Sequence, residues 1–314
     1  MVDQLLGNTA TLTRIAGLPC FAGEVRTRPL IGGLCNTNFV VTDDKGDYVV
    51  RVGGDNWVHG IVQASVQNAV RAASDIGVTP RLVYAETGLI VTDFIHGRPL
   101  VAADIDDEAI LGGWVARLRE LHAGGPAVSG AITHFSGSQA ARHYLRFCRQ
   151  NGSTVAGLDA LDPVIDALEA RVGPYVPVFT HNDVVPQNTM VDTQGRVHLI
   201  DWDYGAFGHP WFDVAGLATN ADASPEQEER IIELYAGDVT EALRERFRLF
   251  KVIVNLREYL WGIVQDLSSN LDANIVSAGM NALYPGETPG FSGYADMNRR
   301  RFEASLEVYR RHHP

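Results

Sequence analysis

Short apolar runs dominate the first third of this chain, and longer helical periods dominate the rest. The runs are Phe39-Val-Val41, Tyr48-Val-Val-Arg-Val52, Leu82-Val-Tyr84 and Leu89-Ile-Val-Thr92. Between them lie the turn-forming segments Asp43-Asp-Lys-Gly46 and Glu86-Thr-Gly88. β-branched and aromatic runs punctuated in this way predict strands joined as hairpins. Residues 59–77 differ: Ile61, Val62, Val66, Ala69, Val70 and Ala73 recur at helical spacing, and Gly77 stops them. With a short helix and lead-in over 1–28, residues 1–95 predict a small α+β lobe. Past Gly97-Arg-Pro99 the period lengthens. A helix is predicted over 104–123, opening with Asp104, Asp106, Asp107 and Glu108, acids favoured at the positive N-terminal end. Further helices are predicted over 138–150, 157–171, 225–236, 239–268 and 293–311. Residues 96–314 therefore predict a larger, mostly helical second lobe, with a boundary near 94–97 and a ligand cleft between the lobes.

Composition narrows the function. A length of 314 residues favours two lobes over one core. A net charge of -12 argues against a nucleic-acid partner. The basic clusters Arg299-Arg-Arg301 and Arg310-Arg-His-His313 read as a solvated helix face and a frayed tail. Cys20, Cys35 and Cys148 have no paired spacing, which argues against a disulfide framework or zinc knuckle and fits a reducing cytoplasm. Neither a secretory leader nor an 18-residue apolar stretch is evident, so no membrane partner is expected. The oligomeric state is not legible.

The candidate chemistry lies in Phe179-Thr-His-Asn-Asp-Val-Val-Pro-Gln-Asn188 and Leu199-Ile-Asp-Trp-Asp-Tyr204. A lone His-x-Asp is an ordinary strand-end pattern. Here Asp183 and Asn188 have the spacing of a kinase catalytic loop, H-x-D-x-x-x-x-N. The segment between Asn188 and Asp201 reads as a hairpin turning at Gln194-Gly195. Equal distances from that turn predict that Asn188 and Asp201 face each other beside Asp183. Asp183 is the candidate base that orients an alcohol and takes its proton. The oxygens of Asn188 and Asp201 suit Mg²⁺. His181 is assigned to fixing the loop rather than to proton transfer. Arg51, inside an apolar strand, has the position of the kinase strand lysine and suits phosphate. Gly32-Gly-Leu-Cys-Asn36 reads as a phosphate loop.

These segments resemble the choline/ethanolamine kinase branch of the aminoglycoside phosphotransferase superfamily. The resemblance runs from about residue 30 to about 268. It adds Ile90-Val-Thr-Asp-Phe-Ile-His-Gly97, Leu118-Arg-Glu-Leu-His122, Phe212-Asp-Val-Ala215 and Tyr259-Leu-Trp-Gly-Ile-Val-Gln265 to the motifs above. It implies a two-lobed protein-kinase-like fold and transfer of phosphate from MgATP to a small alcohol. Asn36, Arg51, Asp93 and Ile95 would contact ATP, the last two through hinge backbone. Asp183, Asp203, Tyr204 and Trp261 would contact the substrate, since an ammonium is attracted to carboxylates and aromatic faces. Asp213 would support the catalytic loop.

Two departures stand out. Val264 occupies the place of a second cage tryptophan, and no Glu lies between Arg51 and Glu86 to pair with Arg51 from the first-lobe helix. Val66 aligns there, with Gln63 and Gln67 beside it. Choline or ethanolamine is the expected acceptor. The alternatives are another cationic alcohol, such as an aminoglycoside or thiamine, and a non-catalytic nucleotide-binding pseudokinase.

Overall fold

The computed structural model describes residues 9–30, 37–269, 271, 273–284 and 286–312. The glycine-containing loop from Gly32 to Asn36 lies outside these residues. The N-terminal part is an antiparallel sheet of five strands: β1 (Arg26–Leu30), β2 (Thr37–Thr42), β3 (Asp47–Val52), β4 (Leu82–Glu86) and β5 (Leu89–Asp93), in the order β1-β2-β3-β5-β4. Strand alternation sends Phe39, Val41, Val50, Leu89 and Val91 to one face, where Ile15 of helix α1 (Thr9–Ala16) packs with them. Ile90 joins the other core with Val66, Ala69, Val70 and Ala73 of helix α2 (Gln63–Ile76). β1 has no counterpart in the sequence reading. Its Arg-Thr-Arg-Pro-Leu sequence lacks the apolar run of a central strand, and it lies at the sheet edge, where proline is tolerated.

The helical part contains α3 (Glu108–Ala123), α4 (Gly137–Gln150), α5 (Leu161–Val172), α6 (Pro210–Asn220), α7 (Pro225–Ala236), α8 (Glu241–Ser268), α9 (Ala273–Leu283) and α10 (Phe291–His312). α8 is the spine, packed against α4, α6 and α10. The sequence reading lacked α6 and α9. Trp211 through Asn220 are all buried, so α6 shows no polar stripe to mark a helical period. Its start is signalled only by Pro210 and by His209 Nδ1, which accepts the Trp211 N–H at 3.2 Å.

A second, smaller sheet carries the motif segments. β6 (Gly97–Pro99), β8 (Thr189–Asp192) and β9 (Val197–Leu199) run antiparallel in the order β6-β8-β9. The hairpin register corrects the expectation by one residue. Thr189 pairs with Leu199 and Val191 with Val197, and Ile200 N donates to Asn188 O at 2.8 Å. Asn188 is thus opposite Ile200, not Asp201. The cause is a three-residue loop, Thr193-Gln194-Gly195, closed by Asp192 N donating to Arg196 O at 3.0 Å, with Gly195 at φ 80°. A one-residue slip would ordinarily turn Asp201 to the opposite face. Asp201 instead lies past the strand at φ 62°, a left-handed conformation that breaks the alternation.

Candidate active site

The loop carrying Asp183 leaves the core from β7 (Val178–Thr180), which pairs with β10 (Ala206–Gly208). Asp213 on α6, fully buried, clamps the loop. Its Oδ2 accepts the His181 N–H at 2.8 Å and its Oδ1 accepts the Asn182 N–H at 2.7 Å. His122 Nε2 lies 3.0 Å from the same Oδ2, and His122 Nδ1 lies 2.8 Å from Tyr235 Oη. Asn182 takes φ 63°, a conformation asparagine tolerates better than most residues. The buried His181 ring contacts the carbonyl of Ile200 through Nε2 at 2.9 Å, which makes Nε2 the donor. Nδ1 is then the acceptor for the Asp183 N–H at 3.3 Å. Burial holds the ring below the usual imidazole range, so it stays neutral in this role.

Asp183 and Asn188 are in contact: Asn188 Nδ2 donates to Asp183 Oδ2 at 2.8 Å and to Asp183 O at 3.1 Å. Asp183 is pushed up to about 7, first by burial and then by the nearby carboxylates of Glu258 and Asp201, against the opposing pull of Arg257. Its side chain keeps about 24% exposure. Asp201 Oδ1 is buried without a hydrogen-bond donor. Because Asn188 uses its amide nitrogen on Asp183, its oxygen remains for another partner. Among the described residues no three His, Cys, Asp or Glu side chains form a metal cage. Two oxygen ligands, one of them a carboxylate oxygen with no hydrogen bond, fit a hard divalent ion that would take its remaining ligands from phosphates and water.

Arg51, on β3, reaches into this cluster. Its Nη2 pairs with Asp203 Oδ1, and its Nη1 lies 3.4 Å from Asp201 Oδ1. Asp203 is an acid that meets Arg51 in a chain whose α2 supplies no Glu. The Gln63 side chain donates to Gly54 O at 2.9 Å and the Gln67 side chain donates to Glu86 O, while Val66 is buried. Asp203 was expected at the substrate. Here it is nearly buried against Arg51. At the hinge, Asp93 N donates to Arg81 O at 3.0 Å and Phe94 N to Asp47 O at 3.1 Å. The Asp93 carboxylate holds Arg81 through two bonds of 2.8 and 2.9 Å.

Tyr204 and Trp261 are in contact through Trp261 Nε1 donating to Tyr204 Oη at 3.2 Å. Around Trp261 stand Tyr294, Phe291 and His59, with ring centroids 5.4, 5.9 and 6.0 Å away. The face of Tyr204 is covered by Arg257, whose guanidinium carbon lies 4.4 Å from the ring centroid. Arg257 Nη1 pairs with Glu258 and lies 3.4 Å from Asp183 Oδ1. Glu258 Oε2 also accepts the Tyr294 hydroxyl at 2.7 Å. The sequence reading missed Arg257 and Glu258. The available signal was an adjacent pair of opposite charges inside a helical stretch that is otherwise mostly apolar from Val252 to Val264.

A half-buried loop aspartate, an adjoining carboxamide and carboxylate, and an arginine from the middle of a five-stranded sheet fit a phosphotransferase of protein-kinase-like architecture. The chain belongs to the phosphotransferase enzyme family, which it matches over residues 26–250. It is 28% identical to probable choline kinase 3 of Arabidopsis thaliana over 211 residues, covering 61% of this chain and 58% of that protein. A choline/ethanolamine kinase family protein from Mesorhizobium loti superimposes with a TM-score of 0.72 at 23% identity, covering 95% of this chain and 94% of the other. LicA in complex with AMP superimposes with a TM-score of 0.70 at 16% identity, covering 96% of each chain.

Proposed function

We propose that this phosphotransferase moves the γ-phosphoryl group of MgATP to the hydroxyl of a small amino alcohol, with choline and ethanolamine the first acceptors to assay. Residues 1–95 serve as the nucleotide-binding lobe and 96–314 as the catalytic and acceptor lobe. The observation that carries this reading is the joining of Asp183, Asn188 and Asp201 in one charge-coupled group. Asp183 orients the acceptor hydroxyl and takes its proton, and its raised proton affinity suits a base working near neutral pH. Asn188 and Asp201 would hold Mg²⁺, which would supply neutralisation of the phosphate charge. Arg51 grips phosphate oxygens, with Asp203 fixing its direction. Asp93 and Ile95 offer hinge carbonyls, and Ile95 its N–H, to the adenine. The names of the relatives support the amino-alcohol acceptor, and the AMP complex of LicA supports the nucleotide. No helix among the described residues is long and apolar enough to cross a membrane, in keeping with a proposed cytoplasmic enzyme.

The test is Asp183→Ala. Mg·ATP binding should persist while turnover falls by at least ~10². Unchanged turnover would remove Asp183 from its role, and binding without turnover in the wild-type protein would leave a nucleotide-binding pseudokinase.

A further inference from the structure

We propose a second binding site, apart from the phosphoryl-transfer centre, that takes a small aromatic carboxylate. It is a cleft of about 520 Å³ at the start of α4, bounded by the end of α5 and by α6 and α8. None of the residues assigned above to nucleotide, metal or acceptor lines it. The inference therefore stands or falls independently of the kinase reading.

The walls are largely apolar. Val172, Phe212, Phe250 and Ile253 line them, and the Tyr175 ring lies 4.6 Å from the ring of His209. The volume accommodates one or two fused rings, and flat rings pack well against aromatic walls. Water filling the same space would leave that apolar surface wet.

The polar groups among these walls are donors in need of an acceptor. His209 is 8% exposed, and its Nδ1 accepts the Trp211 N–H at 3.2 Å. The neutral ring therefore carries its proton on Nε2. Ser138 is 5% exposed. Neither His209 Nε2 nor Ser138 Oγ has a hydrogen-bond partner among the described residues, yet neither atom is sealed off, and both residues line the cleft. The first turn of α4 adds the N–H groups of Gly137 and Ser138, which have no carbonyl partner within the helix, and the positive end of its dipole. Gln139 N, by contrast, already donates to Ser136 Oγ at 3.4 Å.

Charge chooses among acceptors. No Lys or Arg lines the cleft. Glu169 does, but its side chain is 44% exposed and its Oε2 accepts from Arg142 Nη2 at 2.9 Å, an arginine shared with Asp166. A phosphate dianion would find too little compensation beside that acid. A carboxylate brings one charge and two oxygens, which suit neutral N–H and O–H donors at a helix start.

Calorimetric titration of the full chain tests this. The probes are 2-naphthoate, its uncharged counterpart 2-naphthamide, and acetate, each with and without saturating Mg·ADP. Naphthoate should bind with Kd of ~1 mM or tighter, and Mg·ADP should leave that value unchanged. Naphthamide should bind at least ~10-fold more weakly, and acetate more weakly still. Ser138→Ala and His209→Asn should each weaken naphthoate by about tenfold. Circular dichroism checks that both variants fold, and the wild-type comparisons decide the question without them. A loss of affinity in either variant upholds the site. Four results overturn it: no binding of naphthoate, its displacement by Mg·ADP, equal binding of naphthamide or acetate, or unchanged affinity in both variants.

Discussion

At the scale of single residues, burial keeps several groups in one protonation state. His59 and His209 are both held down to about 4, mainly because desolvation disfavours the charged ring. The unfolded chain would protonate both near pH 6.5. Between about 6.5 and 4 the unfolded state therefore binds more protons, and stability falls as pH falls through that window. Moving from pH 7 to 5 should cost on the order of 1–2 kcal/mol per histidine. The check is thermal unfolding of His209→Asn, which retains a capping acceptor for α6 but does not titrate. Its melting temperature should start lower and fall less steeply with acid than that of the wild type. That Asp183, Asn188 and Asp201 come together was legible in the sequence because all three lie along one short stretch around a single turn. Arg257 was not: its partners Tyr204 and Asp183 lie 53 and 74 positions away, and only packing brings them together.

At the scale of elements, periodicity located helices with one wet face and strands in apolar runs. It failed where an element had no contrast to display, as in α6, or too little apolar sequence, as in β1. Hairpin symmetry identified the right turn but missed the register, because the loop closes around three residues and the count from Gly195 shifts by one. The close contact between α8 and α10 gives a direct test. A methyl group added at Gly262 would lie 2.9 Å from the N, Cα and Cβ of Ala295. These are mostly backbone atoms that cannot swing aside, so the helices must separate. Gly262→Ala should lose about 1–3 kcal/mol, seen as a melting temperature lowered by a few degrees. Unchanged melting would show that the helices slide freely. Asp213→Asn acts at the junction of elements. It removes the buried charge that receives two loop N–H groups, and kcat should fall by at least about tenfold, with Mg·ADP affinity nearly retained.

At the scale of the whole molecule, Arg51 and Asp203 join the five-stranded sheet to the catalytic hairpin region. The sequence showed a helix glutamate to be missing but gave no sign of Asp203 beside the arginine, since β3 and residue 203 meet only in the folded chain. If Asp203 orients Arg51 toward phosphate, Asp203→Asn should raise KM for ATP about tenfold and leave KM for the acceptor unchanged. A rise confined to the acceptor would place Asp203 at the substrate instead. The connection through Asp213 has a different reach. It ties the loop holding Asp183 to His122 on α3 and, through that ring, to Tyr235 on α7. A survey of inactivating substitutions should therefore find defects at 122 and 235, and those defects should appear as slow turnover with near-normal nucleotide affinity.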